Sequence, residues 1–200
     1  ARFLRHLDLG RVDRAEVDAE LLEALADGED AKVAVWHRTG AELRARGIPA
    51  TRALRRALRY RPNDAELLAS LGAALVNEGE ASRGVALLQQ SLERAPDAHW
   101  TATATVDLAR ALHSALGDTP LAVHCLARLG ARTTIASLAL EGELRASLLD
   151  REGASLCYAR MRSMIEGAWL EGAESTLALD ALRNASRFEE DEREDLRAAE

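Results

Sequence analysis

The chain has 200 residues, 48% hydrophobic but only 4% aromatic, so any core must be built mainly from alanine and leucine, a helical composition. Charged residues make up 30% and the formal net charge is −7, a field that repels nucleic acid over most of the surface. No apolar run reaches the roughly 18 to 20 residues of a membrane span, and the first residues lack the apolar stretch of a signal peptide. Membrane insertion is not expected, and a cytoplasmic setting is slightly preferred to a periplasmic one.

β signals are nearly absent: there are no Asn-Gly or Asp-Gly hairpin turns and no sustained period-two alternation. Residues 1–30 read as one or more N-terminal capping helices. The next segment, 31–62, concentrates arginine in "RARGIPATRALRRALRYR". Helical spacing sets Arg52, Arg55, Arg56 and Arg59 along one side, read first as a solvated outer face and secondarily as a site for an acidic partner or phosphate.

Segment 63–96 is the most regular. Leu68, Leu71 and Leu75, then Val85, Leu88 and Leu92, fall at helical spacing and predict helices over Ala65–Glu78 and Ala81–Arg94. Asn63 with Glu66 suggests a capping box, Pro62 ends the preceding helix, and Gly79 marks the reversal. Gly72 and Gly84 interrupt the two helices, each costing about 1 kcal/mol relative to alanine, which implies packing that needs the missing side chains. A further unit is expected over 97–130. Residues 131–200 continue the helical pattern, with Met161, Met164 and Ile165 read as core and an acidic end, "FEEDEREDLRAAE", read as a solvent-exposed helix.

Pro62 and Pro96 lie 34 residues apart, and candidate turn glycines recur at Gly47, Gly79, Gly117 and Gly153. On these residues the chain resembles the tetratricopeptide repeat (TPR) family. Leu68, Leu71, Gly72 and Leu75, with Gly84, Leu88, Ser91 and Pro96, stand at the signature positions of the central unit. The unit before it matches through Trp36, Gly40, Leu43, Ala50, Leu54, Ala57 and Pro62, about two residues short. The unit after it matches through Leu108, Ala109, Leu112, Gly117, Ala122, Leu126 and Leu129. Beyond Gly130 the signature positions are mostly unmatched, so 131–200 is expected to hold divergent helical repeats. The resemblance implies an all-α superhelix of stacked helical hairpins in which Gly72 faces Gly84.

Sites of covalent or metal chemistry are not expected, and neither is a cofactor. The five histidines show no metal-binding spacing. His124 and Cys125 are sequence neighbours and point about 100° apart on a helix. Cys125 and Cys157 read as small buried hydrophobes, a disulfide being the minor alternative. Glycine-rich phosphate loops and nucleophile elbows are missing. Trp36 reads as core and Trp100 is open; Trp36, Trp100 and Trp169 are all weighed against binding roles.

The resemblance implies a non-catalytic scaffold that binds a peptide or protein segment in a concave groove lined by first helices. By position the lining would be His37, Arg44 and Ala45 from the first unit, Glu66, Ala69, Ala73, Val76 and Asn77 from the central one, and Val106, Arg110, His113 and Ser114 from the third. The lysine pattern of carboxylate-clamp co-chaperones is missing, which favours a bacterial-style scaffold or assembly module. The alternatives are a regulatory segment of a larger transcription or signalling protein, or a periplasmic scaffold of an envelope or polysaccharide-export machine. Self-association of the basic hairpin with the acidic end is a further expectation.

Overall fold

The computed structural model describes residues 2–166 and 173–199, with side chains described for neither 173–175 nor 192–199. Among the described residues there are eleven α-helices, one three-residue 3-10 turn and no strand. They are α1 (Arg2–Asp8), α2 (Val12–Leu25), α3 (Gly28–Ala45), α4 (Thr51–Tyr60), α5 (Ala65–Asn77), α6 (Ala81–Arg94), α7 (Thr101–Ser114), α8 (Thr119–Ala127), α9 (Ile135–Ser147), α10 (Arg151–Glu166) and α11 (Ala173–Ala199). The fold class is all-α, made of helical hairpins of the α-solenoid type. The chain forms two compact units, 1–104 and 105–200.

In the first unit α1 packs on α2, α3 on α4 and α5 on α6, and neighbouring pairs join through α2 with α3, α4 with α5, and α3 with α5. Its core is aliphatic and small: Leu43, Leu54, Leu67 and Leu75 are almost fully buried together with Ala15, Ala19, Ala53 and Ala57. Trp36 is also buried, 3% exposed, as its core reading required. In the second unit α9 pairs with α10 and α11 packs on both, around Leu138, Ala154, Tyr158, Met161, Ala181 and Ala185. Aromatic contact here comes from Tyr158 and Phe188, with ring centroids 5.5 Å apart.

The central hairpin has the expected close approach. A Cβ placed on Gly72 would lie 2.8 Å from the Gly84 carbonyl oxygen, and one on Gly84 would lie 2.6 Å from the Gly72 carbonyl oxygen. Both glycines are therefore required by backbone meeting backbone, which outweighs their cost to the helices. Ser91 is fully buried and its hydroxyl donates to the Leu88 carbonyl at 2.7 Å. Gly47, Gly79 and Gly117 take left-handed φ values of 67°, 88° and 70°, as turn glycines should.

Three expectations are corrected. The cap of α5 is Asp64, whose carboxylate accepts from the Leu67 amide at 3.1 Å, while Asn63 accepts from Arg94 instead. Gly153 is not a turn residue: it lies in the first turn of α10, and the left-handed position before it belongs to Leu149, φ 61°. A Cβ on Gly153 would lie 2.3 Å from an Asp150 carboxylate oxygen and 2.8 Å from the Arg145 guanidinium, so glycine serves side-chain clearance there. Met164 is 39% exposed, outside the core that holds Met161. Within the segment expected to hold divergent helical repeats, the α9–α10 hairpin keeps one spacing of the central unit: Gly142 packs against Tyr158, sixteen residues on, as Gly72 does against Leu88, and Ala154, twelve residues after Gly142 as Gly84 is after Gly72, is fully buried. Bulkier partners at these positions hid the match. Trp169 lies outside the described residues.

Candidate interaction surface

The first helices of consecutive hairpins in the first unit, α3 and α5, lie side by side because α3 contacts α5 as well as its own partner α4. A polar contact crosses between them, from the His37 ring nitrogen Nε2 to the Ser70 hydroxyl at 3.2 Å. Along α5, Glu66 is half-buried, Ala69 and Ala73 are 7% and 3% exposed, and Asn77 is exposed at the C-terminal end. Val76 sits where a Cβ on Gly84 would meet its methyl group at 2.6 Å, so it faces the α5–α6 contact. On α3, Arg44 is half-buried and Ala45 exposed. Ala69 and Ala73 are thus closed off in the core, and the solvent-facing part of this face is carried by Glu66 and Arg44, half-buried, and by Ala45 and Asn77, exposed.

The α7 residues belong to the second unit. Arg110 and His113 are exposed, and so is Ser114, while Val106 is 5% exposed and joins the core. His113 Nδ1 meets the Thr119 hydroxyl at 2.8 Å across the turn to α8, and the Ser114 hydroxyl donates to the Arg110 carbonyl at 2.7 Å. Ser70 was not among the predicted lining residues. Its signal was the 33-residue separation from His37, close to the repeat period, which makes the two residues neighbours across adjacent hairpins.

The strongest electrostatics lie on the other side of α3, between α2 and α4. Arg56 donates to Glu23 at 2.6 Å and to Glu20 at 3.1 Å, the Tyr60 hydroxyl donates to Glu23 at 2.6 Å, and Arg52 reaches Glu16 at 2.7 Å. The Arg56 guanidinium also lies over the Trp36 ring, 4.7 Å from its centroid. Burial opposes ionisation of Glu23, yet hydrogen bonds from Arg56 and Tyr60 prevail and bring its carboxyl down to about 2. The Trp36 indole adds a weaker pull on Glu23 from outside hydrogen-bonding geometry. Arg61 pairs with Asp30, and Arg46 with Asp8 at 2.9 Å. Most of the basic run is thus engaged within its own unit. Arg55 and Arg59 remain exposed.

A second ionic cluster closes the α9–α10 turn. Arg145 donates to Glu141 at 2.9 Å and to Asp150 at 2.7 Å. Asp150, which also accepts from the Gly153 amide, is held below the usual carboxylate range by Arg145 and that amide. Burial pushes the Cys157 thiol up to about 11 and raises Cys125, the reverse of what a thiolate nucleophile needs. Both cysteines are free. Among the described residues no group of His, Cys, Asp and Glu is placed to hold a metal ion. Two shallow surface depressions, of about 500 Å³ along α10 and about 350 Å³ along α11, are each lined by a single helix.

No protein-family model matches the sequence, and no curated protein matches it. Solved structures do match its fold. PilW, described as a widely conserved type IV pilus biogenesis factor, aligns with a TM-score of 0.64 at 16% identity, covering 94% of this chain and 88% of its own. MamA AMB-1 in its P212121 crystal form aligns at 0.56 and 22% identity, covering 84% of this chain and 91% of its own. Its C2221 form aligns at 0.54 and 23% identity, covering 81% and 94%. At these identities the likeness concerns the fold: the chain is an all-α array of helical hairpins of the kind seen in PilW and MamA.

Proposed function

We propose that this chain is a non-catalytic scaffold that holds an extended or helical protein segment on the first-helix face of its hairpins. The observation that carries the reading is the juxtaposition of α3 and α5, bridged by His37 and Ser70, with Arg44, Glu66 and Asn77 half-buried or exposed along it. A bound segment would lie across these first helices, with the polar groups fixing its register.

The test is a peptide library selected on the wild-type chain and rebound to variants. Arg44→Glu should lower capture about tenfold, whereas Arg55→Glu combined with Arg59→Glu, on the outer helix α4, should leave it unchanged. Equal binding to all three proteins would remove the proposed lining. The fold likeness to PilW supports a second reading, as a scaffold within an envelope machine. A secretion signal or envelope anchor encoded next to this chain would favour that reading over a cytoplasmic one. An adjoining DNA-binding or nucleotide-binding domain would favour a regulatory segment.

A further inference from the structure

Helix α2 is set with its polar side inward. Its buried positions are Ala15, Asp18, Ala19 and Glu23, whereas Val17, Leu21 and Leu25, spaced four residues apart, are 52%, 54% and 80% exposed, with Leu22 beside them at 49%. The cause lies in its neighbours. Glu16, Glu20 and Glu23 pair with Arg52 and Arg56 of α4, Asp18 meets Arg2 of α1 at 3.2 Å, and the alanines supply the close contact. The aliphatic stripe is left facing solvent in a line along the helix.

We propose that this stripe is a homodimer contact, in which α2 packs antiparallel against α2 of a second copy. Charge selects both the partner and the direction. At about 100° per residue, Arg14 lies about 20° from the line through Val17, Leu21 and Leu25, and Asp13 about 80° from it on the flank. Arg11 adds a second cation at the same end, so that end is net positive. At the other end Asp27 and Glu29 are exposed, and Asp30 is already neutralised by Arg61. None of Arg11, Arg14, Asp27 and Glu29 takes part in an ion pair of its own chain among the described residues.

Parallel pairing would bring like charges together at both ends. Antiparallel pairing centred on Leu21 sets Arg11 and Arg14 of each copy beside Asp27 and Glu29 of the other, with Val17 opposite Leu25. Such a contact is isologous and closes at two chains. A single helix face buries an area at the small end of specific interfaces, which corresponds to reversible association.

Sedimentation velocity of the whole chain, from low-micromolar to hundreds of micromolar concentration at low ionic strength, tests the proposal. The wild type should show a monomer–dimer equilibrium. Leu21→Glu, with its helical circular dichroism intact, should weaken dimerisation about tenfold or more. Arg11→Glu with Arg14→Glu should also weaken it, and adding Asp27→Arg and Glu29→Arg to that variant should restore it. A wild type that stays monomeric throughout, a dimer indifferent to Leu21→Glu, or failure of the fourfold reversal to restore association would each overturn the proposal. So would a monomeric wild type that co-sediments with phosphatidylcholine vesicles, which would make a lipid surface the occupant of the stripe.

Discussion

At Gly72 an added methyl group would press on the Gly84 carbonyl at 2.8 Å and the Leu88 amide at 3.1 Å, backbone atoms that no rotamer change can move. At Gly40 the obstruction is a side chain, but Leu54 is fully buried and its Cγ, which turning the terminal methyls leaves in place, would lie at 2.7 Å. Gly72→Ala and Gly40→Ala are therefore each expected to lose about 1–3 kcal/mol in spite of their better helix propensity. Urea unfolding of the two variants checks this, and a variant more stable than wild type at either position would contradict it. Glu23 gives a pH prediction of definite sign. Its carboxyl is lowered from 4.5 to about 2 on folding, so its contribution is complete above the unfolded value and is lost as pH falls through the folded one. Glu23→Gln should cost roughly 1–3 kcal/mol at pH 7, and the difference from wild type should shrink steadily below pH 4.5. The sequence showed the glycines and the arginines of these contacts, but not that Glu23 and Arg56, 33 positions apart, would meet.

Helix boundaries were legible where local signals agreed with packing. The second helix of the central hairpin runs over Ala81–Arg94 as its periodicity predicts, and the first ends one residue earlier than expected, at Asn77. The cap was misplaced because Asn63 and Asp64 are both good capping residues, and only the backbone entering α5 decides which of them reaches the Leu67 amide. Asp64→Ala should accordingly lose about 1 kcal/mol and Asn63→Ala only a few tenths, measurable as separate shifts of the thermal midpoint. The α9–α10 hairpin was obscured for a different reason. Its glycine contact has the spacing of the central unit, but Tyr158 replaces Leu88 against the glycine, and Glu141 with Arg145 forms an ionic cluster beside it. A resemblance judged by residue type misses a contact preserved by complementary volume.

Across the whole molecule the elements are not held by the same forces. The α5–α6 hairpin closes through leucines and glycine contacts, whereas α2 is attached through two alanines and a ladder of ion pairs to α4. Native-state hydrogen exchange at rising salt should therefore speed in α2 and stay constant in α5 and α6, because screening weakens exposed and half-buried ion pairs and leaves apolar burial intact. Uniform behaviour of the three helices would show that α2 is held by packing after all. The net charge of −7 and the alanine-leucine composition had already pointed to an acidic helical protein, and the arginine run suggested a free basic face. In the fold, α2 occupies part of that face.

By itself the sequence determined the all-α class, the hairpin period and the positions at which backbones must touch, because these follow from spacing and from glycines that local propensity disfavours. Only the tertiary structure decided which charges neutralise one another, which face of α2 meets solvent and that His37 would meet Ser70. Those outcomes depend on distances between residues some thirty positions apart, and a repeat period sets which residues become neighbours without setting how their side chains are oriented.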